Sequence, residues 1–339
     1  MMANPPTSKL CCAAAPFVLE YDAAGKLLSS WGGPGQGYQW PASPGGIAAD
    51  GKGSVWITAA GLEPPPPPPG RGGPGNTANI DPDTGRPIAA GRGRGGPAPP
   101  PVDAHVLKFS RTGQFVLQIG APGKLDGPES QASLNRPAAV AVDDAANEVY
   151  VADSGNHRIV VFDAATGAYK RHWGGTGDKP TAQGAGVYDP NASPSRQFRD
   201  PTCVKIAKDG TVYVCDRSSD RIQVFQKDGR FVREGIVAKE TTGATVTGQF
   251  GVVSSHGSVW DLAFSSDPQQ RYVFVADGHN KVVRILQRDT LAQVGTIGSG
   301  GRYPGQFLAV STVAVDGAGN LYTGEQHHGK RVQKFVQGR

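Results

Sequence analysis

Four carboxylates recur at one place in this sequence. Asp153, Asp216, Asp277 and Glu325 each close a short apolar run of the kind Val-Tyr-Val-x-Asp. Carboxylates ranged around an axis could bind a cation or another ligand. Carboxylates beside a turn also accept hydrogen bonds from backbone N–H groups and cap it, and their repetition favours that use. Arg158 and Arg221 return a few residues later, placed to pair with them. Arg217, directly after Asp216, does not recur. A cation outside the repeat is the better mark of function, so Arg217 leads the ligand-binding candidates and is a weak candidate for catalysis.

Cys203 is a possible soft metal ligand, but one thiolate does not make a site. The four cysteines, Cys11, Cys12, Cys203 and Cys215, fit no zinc template. If Asp209-Gly210 is a two-residue turn, Val204 stands opposite Cys215 and Cys203 points to the other face. No bond between Cys203 and Cys215 is then expected. Cys11 or Cys12 could bond another cysteine in an oxidising compartment. His157 is expected to pack locally in its turn. His327 and His328 are adjacent, and adjacent strand residues face opposite ways, so they do not chelate together unless they lie in a loop. His256 and His279 fall in loops and could meet at a rim. No metal ligand set is assigned. No nucleophile elbow, phosphate loop or DNA-reading motif is present.

The elements that must position these residues come from an internal repeat. Residues 135–174 and 199–235 share one plan: Pro, an apolar strand, a turn, the Val-Tyr-Val strand, a polar turn, an Arg-Ile-x-Val-Phe strand, a turn and a final strand. The plan returns at 258–298 and 307–335, and an interrupted copy runs through 45–59 and 105–120. Asp209-Gly210, Asp228-Gly229 and Thr112-Gly113 lie between apolar runs, where tight turns need positive φ. Alternation at Val149, Val151, Ile159 and Val161 gives each strand two faces. A lone sheet of this kind cannot bury both faces, so copies stack and the ring closes. The expected fold is an all-β, six-bladed β-propeller whose first blade, residues 17–33, lacks an inner pair of strands. Mixing of N- and C-terminal strands would close the ring. Trp31 and Trp173 are expected to fill the space between blades.

Residues 1–16 read as an irregular segment and 17–339 as the propeller. Nearly half of the 28 prolines fall in 61–103, with too little apolar content to pack. That stretch is read as a disordered or polyproline-like insertion, which could also engage Pro-binding domains. The net charge of +5 is modest and partly due to arginines there, so nucleic acid is not the expected partner. No apolar run is long enough to span a membrane. The N-terminus lacks the charged start and apolar run of a signal peptide.

The runs VYVADSGNHRIVVFD (149–163) and VYVCDRSSDRIQVF (212–225) resemble the NHL repeat closely. The whole chain also resembles bacterial NHL proteins akin to peptidyl-α-hydroxyglycine α-amidating lyases, through segments 11–41, 257–277 and 319–335. That resemblance implies a periplasmic or secreted protein that begins with a signal peptide and a complete first blade, so this chain reads as starting after both. It also implies three zinc-binding histidines on inner strands, with a tyrosine and arginines assisting C–N cleavage. The matching places here read Gly45-Gly46-Ile47, Thr202-Cys203-Val204 and Ser311-Thr312-Val313. The tyrosine's turn is Ser154-Gly155-Asn156. Only Arg217 carries over. Lyase activity is therefore expected to be absent or very weak. The expected function is a monomeric, cofactor-free propeller that binds a protein, peptide or small molecule at its channel mouth, through loops 175–197 and 237–256. The alternative is a related lyase or hydrolase with a relocated site using zinc or calcium.

Overall fold

Short alternating strands joined by glycine turns leave the chain little choice but antiparallel hairpins, and the computed structural model is built of them. It describes residues 15–60, 102–243, 245–248, 251–254, 256–325 and 329–338. Of the expected insertion at 61–103, residues 61–101 lie outside the described residues, as do Cys11, Cys12, His327 and His328.

Strands β1 (Val18–Tyr21) and β2 (Leu27–Trp31) form a two-stranded hairpin. Blade A follows with β3 (Pro44–Ala49), β4 (Ser54–Ala59), β5 (His105–Ser110) and β6 (Phe115–Gly120). Blade B holds β7 (Pro137–Asp143), β8 (Glu148–Asp153), β9 (Arg158–Asp163) and β10 (Tyr169–Trp173). Blade C holds β11 (Pro201–Ile206), β12 (Val212–Asp216), β13 (Arg221–Phe225) and β14 (Phe231–Ile236). A separate hairpin, β15 (Thr245–Gly248) with β16 (Gly251–Ser254), occupies the loop region read as 237–256. Blade D holds β17 (Asp261–Phe264), β18 (Tyr272–Asp277), β19 (Val282–Gln287) and β20 (Gln293–Ile297). A short parallel bridge joins β21 (Ser299–Gly300) to β22 (Gln306–Phe307). Blade E has three strands, β23 (Val310–Val315), β24 (Leu321–Glu325) and β25 (Val332–Phe335).

The inner strands β3, β7, β11, β17 and β23 neighbour one another in that order, which gives the sheets their propeller arrangement. The blade count is five, a correction to the six expected. The unit that would be the sixth consists only of β1–β2, without an inner pair among the described residues. Among the described residues β25 does not pair with it, and the polar link between the two units is the Lys334 Nζ bond to the Ala23 carbonyl, at 3.3 Å.

Apolar faces of successive sheets make the core. Val149, Val151 and Val160 of blade B pack against Trp56 and Val106 of blade A. Tyr150, Ile159 and Val161, on the other face, pack against Val204, Val214 and Phe225 of blade C. Trp173 sits in that second cluster, over Gly229 of the next blade's outer turn. A Cβ on Gly229 would meet the Trp173 ring at 2.9 Å, and its φ of +91° suits only glycine. Trp31 covers Gly113 in the same way.

Antiparallel order also sorts the connections. Links between first and second strands, and between third and fourth, fall at one face and are tight. Links between second and third strands, and from blade to blade, fall at the opposite face. Every long connection, including 174–200 and 237–260, therefore emerges on that second face.

Candidate functional site

Second strands end on the long-loop face, which fixes where the recurring carboxylates lie. Asp153 and Arg158 are both fully buried and pair at 2.8 Å. Asp216 pairs with buried Arg221 at 2.9 Å, Asp277 with Arg284 at 2.7 Å, and Glu325 with Arg331. Each arginine then donates to loop carbonyls or a neighbouring side chain: Arg158 to Pro128, Ser130 and Ser133, Arg221 to Ser195 and Gln197. The carboxylates also tie down the entry to their own blade. Asp153 accepts from the Asn135 N–H at 2.7 Å, Asp216 from those of Arg199 and Asp200, and Glu325 from those of Leu308 and Ala309. Burial raises the carboxyls of Asp153 and Asp277 above the usual range despite their arginines. In blade A, Asp103 serves the same purpose from a different place, accepting from Ala42 and Ser43.

Arg217 differs. It opens the 3-10 turn Arg217–Ser219 after β12. Its Nη2 donates to Asp200 Oδ2 at 2.6 Å and its Nε at 3.1 Å. The guanidinium lies over the Trp260 ring, 5.2 Å from the centroid, and a quarter of the side chain is exposed. Asp200 is a hub: Ser154 Oγ donates to it at 2.5 Å and Ser218 Oγ at 3.3 Å. Burial opposes its charge, but Arg217 and the Ser154 hydroxyl outweigh that and hold the carboxyl below its usual value. Ser218 also donates to the His256 carbonyl, and Trp260 Nε1 to that of Gly257. The cluster thus ties blade B to blade C and both to the strand leading into blade D.

A cavity of about 360 Å³ adjoins this turn, lined by Val187, Tyr188, Pro194, Arg199, Ile236 and Lys239 among others. Arg199 Nη1 donates to Ser219 at 2.7 Å, while its other nitrogens hold the carbonyls of Ala185, Gly186 and Val187. That leaves Arg199 shaping the loop 185–187, with its guanidinium 5.2 Å from the Tyr188 ring centroid. The Tyr188 hydroxyl donates to the Lys239 carbonyl, and burial pushes its pKa up to about 12. His157 packs as expected, its Nδ1 2.9 Å from the Arg199 carbonyl oxygen. His256 lies within electrostatic reach of His279, whose pKa burial lowers.

Cys203 is bonded to Cys215, which corrects the reading that they face opposite ways. The link between β11 and β12 runs from Ala207 to Thr211 rather than through two residues, so Cys203 stands directly opposite Cys215 with Cα atoms 4.9 Å apart. Blade B carried the clue, since Ala139 and Ala152 face each other at the equivalent place. Three side chains that matter here were missed in the sequence: Asp200, Trp260 and Tyr188. The first had a signal, because Asp200 stands where the sister repeat has Arg136.

The NHL repeat family matches residues 134–162 and 198–225, which span most of blades B and C up to their third strands. The chain carries NHL repeats. No curated protein matches the sequence. Among solved structures, the NHL chain is similar to a chain of a nidogen/laminin complex, at 14% identity over 88% of this chain and 82% of that one, with a TM-score of 0.47. It is also similar to virginiamycin B lyase from Staphylococcus aureus, at 11% identity over 88% of this chain and 71% of that one, with a TM-score of 0.44. Nothing about activity follows from likenesses at these identities. The recurring blades B and C, with almost no helix among the described residues, are those of a propeller of NHL repeats.

Proposed function

We propose that this NHL propeller is a non-catalytic binding protein that takes a protein, peptide or small ligand at the mouth of its long-loop face. The observation that carries the reading is Arg217. Its guanidinium is held by one carboxylate, lies across an indole and keeps a quarter of its surface open, while Ser219 of the same turn lines a cavity. Such a cation, fixed in direction, suits a ligand carboxylate or carbonyl with an apolar group beside it. Asp200 sets the angle of the guanidinium and Ser154 fixes Asp200.

A second reading, a lyase or hydrolase related to the amidating lyases, draws on Arg217 matching that family's pattern after the second strand. The residues do not fit the zinc it would use. Cys203 is held in a disulfide, and the Thr312 hydroxyl donates to Asp261 at 2.6 Å. Among the described residues, no three His, Cys, Asp or Glu side chains are placed to hold a metal ion. We further propose a periplasmic or secreted location, which the disulfide supports because such bonds persist in oxidising compartments.

The two readings part in one pair of measurements. Turnover of a peptidyl-α-hydroxyglycine substrate is measured with added zinc, and a library of acidic peptides is screened by calorimetry against wild type and Arg217→Ala. Binding that falls at least tenfold in the variant, with no turnover, is the expected result. Turnover at ordinary enzyme rates ends the non-catalytic reading.

A further inference from the structure

Asp200 has a second cation beside it. Arg136, the residue directly before β7, lies within electrostatic reach of Asp200 and of His157. The backbone places it there. Asn135 donates through its side chain to the Gly155 carbonyl, and its own carbonyl accepts the Gly155 N–H. Ser154, the neighbour of Gly155, donates to Asp200. Arg136 therefore stands on the blade B side of Asp200 and Arg217 on the blade C side. Strand β7 begins and β12 ends on the long-loop face, so both arginines belong to one mouth.

The two arginines are held differently. Arg217 gives Nε and one Nη2 hydrogen to Asp200, which leaves Nη1 and the far side of Nη2 as an open fork. The Arg136 guanidinium has no hydrogen bond or ion pair among the described residues, although the residue is half-buried. Asp103, whose carbonyl receives the Arg136 N–H at 3.3 Å, is buried and turns its carboxylate to Ala42 and Ser43. Arg136 is also strained. Ser43, Arg136, Asp200, Trp260 and Ala309 directly precede the five inner strands, and of these Arg136 alone has left-handed backbone, at φ +50°. That conformation is uncommon for an arginine, and residues so held cluster at ligand sites.

Charge decides what fits between them. Two guanidinium groups against the Asp200 carboxylate leave one positive charge uncompensated, and burial lowers His157, so it adds none near neutrality. A single ligand carboxylate restores the balance. Its two oxygens can take the Arg217 fork and Arg136 together, whereas a carboxamide offers one oxygen and no charge. The second residues of β7 and β11, Ala138 and Thr202, are small, so these strands put no large side chain beside the pair. We infer that Arg136 sets the charge specificity of this mouth: with Arg217 it clamps one ligand carboxylate and turns away the neutral amide that Arg217 alone would hold. The inference rests on the reading of Arg217 as the ligand-binding cation.

The test uses the full chain and two pairs of peptides in calorimetry. One pair is acetyl-Ala-Leu with a free or an amidated end; the other is acetyl-Ala-Asp-Leu-amide and its counterpart with Asn. Wild type should favour the acid over the amide by about tenfold or more in one pair, and that pair tells a chain end from a side chain as the source. Arg136→Asn, which tolerates the left-handed backbone, should bring acid and amide within about twofold, leave the affinity for the amide unchanged and keep the circular dichroism of the wild type. Arg136→Lys, which keeps the charge, should keep most of the preference. Arg217→Ala should weaken acid and amide alike. A preference that survives Arg136→Asn, while Arg217→Ala abolishes binding, overturns the inference and leaves the reading of Arg217 standing. Affinity untouched by Arg217→Ala removes that reading and the inference with it. Wild type that binds neither pair, or binds acid and amide equally in both, also overturns the inference.

Discussion

Blades B and C are adjacent copies of one plan and differ where it matters. Each ends its second strand in an aspartate clamped by an arginine five residues on, Asp153 with Arg158 and Asp216 with Arg221. Each follows with a 3-10 turn. In blade B that turn is Ser154-Gly155-Asn156, and its outward reach is the Ser154 bond to Asp200. In blade C it is Arg217-Ser218-Ser219, which puts a cation over Trp260. Blade C has a disulfide where blade B has facing alanines. Blade B has Glu148, held by Arg171 and Tyr150, where blade C has only Arg233 donating to Tyr213. What the two share holds the sheet together; what they do not share is where a ligand would be met.

The comparison breaks first if the shared clamps are unequal. Arg158→Met and Arg221→Met each leave a buried carboxylate alone and should each cost about 3–5 kcal/mol in urea unfolding. A loss under about 1 kcal/mol in either would show that the clamp is decoration in that blade. Next comes the feature found only in blade C. Replacing both Cys203 and Cys215 with alanine, the pair that blade B tolerates, should lower stability by about 2–3 kcal/mol.

Blade B has its own mark in acid. Arg171, helped by Tyr150 and Lys170, lowers the Glu148 carboxyl from 4.5 to about 2 against the pull of burial. A depressed folded-state value stabilises the fold above the unfolded value. That contribution is whole above about pH 4.5 and fades as pH falls towards 2. Glu148→Gln should therefore cost about 1–2 kcal/mol near neutrality and nothing at the acid end, read by unfolding across that window. The smallest effect on stability belongs to Arg217→Ala, under about 1 kcal/mol for a partly exposed pair. If that variant unfolds as readily as Arg221→Met, Arg217 is one more clamp and the distinction between the turns collapses.

Most of the scaffold was legible because it repeats. Alternating valines, glycine turns and the recurring aspartates gave the strands and their order, and Trp31 and Trp173 fell between sheets as read. The count of blades was not legible, because residues 17–33 supply outer strands whose inner pair no residue pattern could place. The cysteine register failed on one turn: Ala207–Thr211 is longer than Asp209-Gly210 suggests, and one residue of slip sends a side chain to the other face. The site was partly legible. Arg217 stood out by not recurring, but its partners Asp200 and Trp260 come from the strand entries of two blades, and nothing local joins them. Setting 135–163 beside 199–226 and reading only the mismatches would have found Asp200.

The Cys203–Cys215 bond lies inside the seam between blades C and D, shut in by Leu262, Val273, Val275 and Leu286. A reductant in solution cannot reach sulfur until those two sheets part. The speed at which thiols appear would therefore time the breathing of one seam, turning a passive crosslink into a clock for how often the ring lets go.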